Sequence, residues 1–314
     1  MPILLKESEV HHLLPMQELI GVMEDALAAF AAGVVDQPVR SVVQIGEEKN
    51  YFGTMPAGLP NAVGAKLVTV FHSNVAKGLT SHLATILLLD PETGALQALL
   101  DGRYITEART AAVSAVSTKY LAREDAKTLA ILGSGVQARS HVEALRLVRD
   151  FQTIKAYSPN RGNLERFCEE TGVTPCNSAE EAVRGADVVA AVSAAREPIV
   201  QSEWVSDGTH LIGVGACRPT HREFTADLMA RSSIYVDSIP GAMKEAGDIL
   251  MAIADCAITA EHIRGELGAK PRRTSQQEVT FFKSLGMAVE DVAAANLVYQ
   301  RAIQAGVGTP FELA

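Results

Sequence analysis

Apolar residues recur along the first third of the chain at two different spacings. Between Ser8 and Gly33 they fall at Leu13, Leu14, Met16, Leu19, Ile20, Val22, Met23, Leu27 and Phe30, a one-face helical pattern that stops at Gly33. The runs then shorten and fill with β-branched residues: Val39 to Ile45, Tyr51 to Thr54, Ala62 to Phe71 and Leu83 to Leu89. A turn, Asp90-Pro91-Glu92-Thr93-Gly94, joins the last of these to a return strand Ala95 to Leu100. This pattern predicts a mostly antiparallel α+β domain. An Ala- and Thr-rich stretch, Tyr104 to Leu121, predicts a long helix leading out of it.

The spacing changes again at LAILGSGVQARSH, Leu129 to His141, where an apolar strand runs through Gly133, Gly135 and Ala138 into an amphipathic helix. That order is a dinucleotide-binding fingerprint. Gly133 permits the tight turn, Gly135 lacks the Cβ that would block a pyrophosphate, and Ala138 lets helix and strand pack closely. The backbone of Ser134, Val136 and Gln137 lies at a helix N-terminus whose N–H groups face outward, as a phosphate requires. A ligand-free strand-to-helix turn could use the same glycines, so the context decides.

The context is an alternation. Helix Val136 to Asp150 precedes strand Thr153 to Ser158, helix Arg161 to Thr171, a short segment Val173 to Cys176, helix Ala179 to Gly185 and strand Ala186 to Ser193. Apolar runs follow at His210 to Ala216 and Ser233 to Asp237. Short buried strands alternating with helices predict an α/β fold, a Rossmann doubly wound parallel sheet. The chain has 314 residues, and roughly 125 residues precede the nucleotide fold, enough for a second core.

Composition narrows the function classes. At 47% hydrophobic and 21% charged residues, with net charge -9 and no Lys/Arg run, the chain is not built for nucleic acid. MPILLKESEV lacks the basic and apolar regions of a signal peptide, and no apolar run has membrane-spanning length, so a cytoplasmic location with no membrane partner is expected. Cys168, Cys176, Cys217 and Cys256 form no C-x-x-C pair and no metal spacing, which predicts reduced thiols and no metal.

The cofactor type is read where the second nucleotide strand ends. An NAD enzyme places Asp or Glu about 20 residues past the fingerprint, where it would repel a 2′-phosphate. Here the sequence is Ala156-Tyr157-Ser158-Pro159-Asn160-Arg161, without an acid. Ser158 and Asn160 can donate hydrogen bonds and Arg161 can pair with a phosphate, so NADP(H) is expected in preference to NAD(H). Arg161 could equally be an exposed helix-start residue. The nicotinamide should lie at the C-terminal edge of the sheet, where loops at Ser193, Val214 to Arg218 and Lys283-Ser284-Leu285-Gly286 converge.

Three cations in the first domain are candidates for a carboxylate clamp. Lys66 interrupts the apolar strand GAKLVTVF, Arg109 lies among small residues in EARTAAVSA, and Arg40 sits in PVRSVV. Arg offers a bidentate fork and Lys a point charge for an acidic substrate. A snorkelling Lys and a surface-paired Arg are the competing readings. His82 could face the substrate, while it and His221 could equally be structural. Cys217 reads as a small buried hydrophobe rather than a nucleophile.

Taken with these residues, the blocks Met55-Pro56-Ala57, GAKLVTVFHSN, GLTSHLATILLLDPETG, DGRYITEARTAAVSA, ILGSGVQA and GTHLIGVGACRP resemble the ornithine cyclodeaminase/mu-crystallin family over nearly the whole chain. The resemblance implies a Rossmann domain, 121–291, inserted into a discontinuous α+β substrate and dimerisation domain, 1–120 plus 292–314. It also implies a completing C-terminal helix around Val292 to Gln304 and a homodimer formed through the N-terminal sheets. Cyclodeaminases resemble one another in carrying a Glu two residues before Met-Pro and an Asp after the paired glycines of the GVGACRP segment. This chain has Gly53 and Cys217 there, and Arg218-Pro219 looks like the mu-crystallin side.

The resemblance therefore implies NAD(P)H-dependent reduction of a small cyclic 2-imino acid, its carboxylate held by Arg40, Lys66 and Arg109. Lys66 and Arg109 are the expected catalytic pair. An alanine dehydrogenase-type activity, a residual ornithine cyclodeaminase, and a nucleotide-dependent binding protein without turnover stay open. If the missing acids have been replaced, Glu223 and Asp248 are the candidates.

Overall fold

The computed structural model describes residues 1–47 and 50–312. The chain forms two compact units, Met1–Arg109 with Gly286–Ala314, and Thr110–Leu285. These boundaries differ from 120/121 and 291/292. The first falls inside the continuous helix Arg103–Leu121, which no breaker residue marks, and the second lies ahead of the whole helix Ala288–Ala305.

In the first unit the strands are Ile3–Leu5 (β1), Ser41–Ile45 (β2), Asn50–Leu59 (β3), Ala62–Val70 (β4), His82–Leu89 (β5) and Leu96–Asp101 (β6). With the C-terminal strand Thr309–Pro310 they form a seven-stranded sheet in which, among the described residues, only β1 and β6 pair in parallel. The helix Ala288–Ala305 packs on β3, β4 and β5 and against the helix Met16–Ala31. Gly64 allows its approach: a Cβ there would collide with the carbonyl of Leu87 and touch Val292.

The single helix expected over Ser8 to Gly33 is two helices, Glu7–Leu13 and Met16–Ala31. Pro15 divides them, because it has no N–H for the helical ladder and pushes Leu14 out of helical geometry. Strand β3 runs past Thr54 to Leu59, through Pro56. Strand β2 stops pairing at Thr54, which leaves an edge where proline is tolerated.

The second unit is an eight-stranded sheet whose ladders are all parallel: Thr128–Leu132 (β7), Thr153–Tyr157 (β8), Thr174–Pro175 (β9), Val188–Ala191 (β10), His210–Gly213 (β11), Ser233–Val236 (β12), Ile263–Glu266 (β13) and Thr280–Lys283 (β14). The order is β13-β12-β14-β11-β10-β7-β8-β9, so the winding reverses between β7 and β10. A doubly wound sheet opens a ligand crevice at that switch point, at the carboxyl ends of the strands. Central strands β10, β11 and β14 are buried along their whole length, which is why their apolar runs do not alternate. Strands β13 and β14 were not predicted. TFFK is too short a run to stand out, and its Lys283 is paired by Asp248 rather than exposed. No helix among the described residues is long and apolar enough to cross a membrane.

Candidate active site

The fingerprint turn follows β7 directly. Gly133 has φ +131°, and a Cβ there would stand 2.8 Å from the carbonyl oxygen of Val192, so the fold itself demands glycine. Gly135 is different: its backbone is extended, with φ -85°, and a Cβ would meet nothing within 4 Å. Internal packing gives no reason for glycine at 135. Open space at the N-terminus of the helix Val136–Arg146 is what an approaching pyrophosphate requires, so the cradle fits a dinucleotide. Arg139 Nη1 steadies the turn by donating to the carbonyls of Ser134 (2.9 Å) and Gly135 (3.2 Å). Ala138 is fully buried, Val136 is exposed, and Gln137 keeps a buried Oε1 without a partner among the described residues.

At the end of β8 the side chains are partly committed. Asn160 Oδ1 caps the helix Arg161–Thr171 by accepting from the Asn163 N–H at 3.0 Å, which leaves only its amide nitrogen to donate elsewhere. Arg161 is exposed and gives Nε to Glu165 at 2.8 Å. Ser158 precedes both, half-buried.

The neighbouring strand ends are tied together by one residue, Glu223. Its carboxylate accepts from the Ser193 N–H (2.9 Å) and hydroxyl (2.7 Å), and from the N–H groups of Gly215 (2.7 Å) and Ala216 (3.3 Å). Ser193 is thus engaged with the protein rather than held open for a ligand. Asp248 accepts from the backbone of Glu223 and Phe224 and pairs with Lys283 Nζ at 2.9 Å, all buried. Burial pushes the Glu223 carboxyl up to about 7. Burial works against the Lys283 ammonium too, but Asp248, Cys217 and Glu223 outweigh it and hold its pKa above the usual value. Glu223 and Asp248 therefore organise the strand ends at Ser193 and Gly215.

Val214 accepts from the Cys217 thiol at 3.1 Å, and Cys217 is exposed, not the buried hydrophobe expected. The reason is local: the turn at Gly215 carries the chain outward from β11, and no residue from Cys217 to Arg222 is buried. Ser284, just past β14, keeps a buried hydroxyl without a partner among the described residues.

The cation cluster belongs to the first unit. Lys66 lies on the inward face of β4, in step with Gly64 and Val68, because side chains alternate along a strand. It is 1% exposed and Arg109 4%, so neither snorkels nor sits at the surface. Two residues absent from the sequence expectation receive them, both from the helix Ala288–Ala305. Asp291 Oδ2 lies 2.6 Å from Lys66 Nζ, and its Oδ1 accepts from Arg109 Nε at 3.0 Å. Glu290 accepts from Arg109 Nη1 at 2.8 Å. Arg40 is half-buried and gives Nη2 to the carbonyl of Gly286 at 3.3 Å. Gly286 has φ +81°, and a Cβ there would collide with the Arg109 guanidinium.

Electrostatics follow from that packing. Burial lowers the Lys66 pKa to about 8 despite Asp291, and Arg109 and Arg40 lower it further. Arg109 and Lys66 more than offset burial at Asp291 and keep it ionised. Burial, then Lys66 and Arg109, lower His82 to about 4, so its ring is neutral at neutral pH. Gly53 pairs with Val68, and a Cβ there would stand 3.1 Å from the Val68 side chain, so no carboxylate enters from that position. The Glu290-Asp291 pair had one sequence signal, two acids inside the otherwise apolar AVEDVAAA.

The chain is similar to known proteins over nearly its whole length. A rat (Rattus norvegicus) ketimine reductase mu-crystallin is 44% identical over 306 residues, covering 95% of this chain and 96% of that one. The Thermococcus litoralis Δ1-pyrroline-2-carboxylate reductase, solved with NADH and L-proline, superposes with TM-score 0.94 at 36% identity, covering 98% of this chain and 100% of the other. An archaeal alanine dehydrogenase dimer with bound NAD gives TM-score 0.94 at 33% identity, covering 100% and 99%. The model of one family matches residues 1–306, and on that match, with the nucleotide fingerprint and the sheet order in agreement, the chain belongs to the ornithine cyclodeaminase/mu-crystallin family.

Proposed function

We propose that the chain is an NAD(P)H-dependent reductase of small cyclic 2-imino acids, such as pyrroline- or piperideine-2-carboxylate. The observation that carries this reading is the buried Lys66–Asp291–Arg109 cluster, because it holds an ammonium and a guanidinium together in a desolvated place, where charge-assisted hydrogen bonds to a substrate carboxylate are strong. When bound, the reduced nicotinamide supplies a hydride to the C=N carbon. Arg40 and Arg109 hold the substrate carboxylate, Lys66 adds its charge and delivers a proton to the imine nitrogen, and neutral His82 offers a hydrogen bond without adding charge. Gly133 to Ala138 cradle the dinucleotide phosphates, with Val214 and Ser284 at the nicotinamide end and the backbone at Ser193, tied by Glu223, shaping that end.

Ornithine cyclisation is disfavoured, since it needs carboxylates that Gly53 and Cys217 do not provide. A binder without turnover need not keep a carboxylate clamp. The discriminating assay follows NADPH oxidation with pyrroline- and piperideine-2-carboxylate, with pyruvate plus ammonia, and follows ammonia release from ornithine plus NAD. Ring imines are expected to turn over fastest. Faster turnover of pyruvate would move the reading to an amino-acid dehydrogenase, and proline formed from ornithine at a comparable rate would overturn it.

NADPH is proposed as the preferred cofactor because no acid follows β8. Arg161 must leave Glu165 to meet a 2′-phosphate, and both are exposed, so Arg161→Ala should weaken NADPH by about 1 kcal/mol, roughly fivefold, with NADH unaffected. Equal NADPH and NADH titrations of the unaltered protein would remove this preference. The assembly is proposed to be a homodimer through the seven-stranded sheet, whose β2 exposes Val42, Val43 and Ile45.

A further inference from the structure

We propose that Asp291 is the positioning residue of this site: it bridges Lys66 and Arg109 and keeps the ammonium loaded with the proton the imine nitrogen receives. The inference rests on the imine-reductase reading above. Its geometric basis does not: one buried carboxylate uses separate oxygens for two cations, Oδ2 for Lys66 Nζ at 2.6 Å and Oδ1 for Arg109 Nε at 3.0 Å. Moving Lys66 would break its ion pair and moving Arg109 would break its charge-assisted hydrogen bond, so Asp291 holds their spacing before substrate arrives.

The groups facing Lys66 come from every side. Asp291 and, behind Arg109, Glu290 come from the C-terminal helix, Arg109 from the helix Arg103–Leu121, Arg40 from the segment before β2, and His82 from β5. Burial, Arg109 and Arg40 all favour the neutral amine, and Asp291 is the group that opposes them. Without it, the balance at Lys66 shifts toward the neutral amine. In the reduction an N–H bond forms at the imine nitrogen as one N–H bond of the Lys66 ammonium breaks, its electron pair staying on Nζ. The carbon takes the hydride and both its electrons from the reduced nicotinamide. Solvent reloads the amine.

The test is a 15N-lysine NMR titration of Lys66 Nζ, its resonance assigned by loss in Lys66→Met, beside the pH profile of kcat/KM for a ring imino acid. In the unaltered protein Nζ should titrate near pH 8 and kcat/KM should fall above it. Asp291→Asn should move both about 1 to 3 pH units lower, the range for losing an adjacent opposite charge. NADPH binding, followed by its fluorescence, should not change. An unshifted Nζ titration in Asp291→Asn overturns the proposal. A shifted titration without any imine turnover by the unaltered protein instead removes the reductase reading. If Asp291→Asn does not fold, Asp291→Glu decides: the charge remains but its oxygens move, so Nζ should still titrate near 8 while kcat falls about tenfold, and unaltered kinetics would overturn the positioning role.

Discussion

Arg109→Lys lowers kcat/KM for every accepted imino acid by about 100-fold or more, close to 3 kcal/mol of transition-state stabilisation. Charge is conserved in this exchange, so the loss isolates geometry. The guanidinium serves Asp291 through Nε and Glu290 through Nη1 from one rigid plane, and an ammonium cannot reproduce that fork. Lysine would leave one buried carboxylate without its donor, so a stability loss of about 2 to 3 kcal/mol should accompany the kinetic one. NADPH affinity should not change, because the fingerprint turn Gly133 to Ala138 includes neither Arg109 nor its carboxylate partners. Kinetics indistinguishable from the unaltered enzyme would show that Arg109 is scaffolding for Glu290 and nothing more.

The second large effect is on stability in acid. His141 and His210 are fully buried in the nucleotide unit. His141 Nε2 shares a hydrogen bond with Ser114 (2.9 Å), and Nδ1 lies 2.7 Å from the carbonyl of Gln137. His210 sits between Ser117 (3.1 Å) and Thr280 (2.9 Å). Burial lowers their pKa values to about 4 and about 3. The unfolded chain binds protons on both rings as pH falls below about 6.5, whereas the folded protein does not, so stability is full above that value and drains away below it. By pH 4 the loss is about 3 kcal/mol for each ring, a large part of an ordinary domain's stability. Urea midpoints measured from pH 7.5 to 4.5 should fall steeply, and more gently in His141→Gln/His210→Gln. Parallel curves for the two proteins would assign the acid sensitivity to carboxylates instead.

The nucleotide unit was readable from sequence because each of its signals is local. Gly133, Gly135 and Ala138 stand within one turn, and the β7 to β12 runs follow helical segments at short intervals. The cation cluster was half readable. Lys66 and Arg109 stand out as charges within apolar surroundings, but whether such a charge is buried depends on what meets it, and Asp291 lies far along the chain. Proline placement explains the boundary errors: Pro15 breaks a helix whose apolar periodicity continues across it, and Pro56 is carried by a strand with an open edge. Glu223 gave no sign of its role, since a carboxylate that accepts backbone N–H groups is defined by loops that only the folded sheet brings together.

The split of the first unit into Met1–Arg109 and Gly286–Ala314 has a bearing on how the protein is made. A ribosome delivers Lys66 and Arg109 early and must then synthesise the whole nucleotide unit before Glu290 and Asp291 emerge. Throughout that interval the cations have no carboxylates to be buried against, and a closed core around them would be strongly disfavoured. The nucleotide unit, continuous in the chain, is free to fold first. Closure of the clamp is thus a late event in biosynthesis, and a polypeptide arrested before residue 290 would hold a finished dinucleotide cradle beside a substrate unit still unable to close.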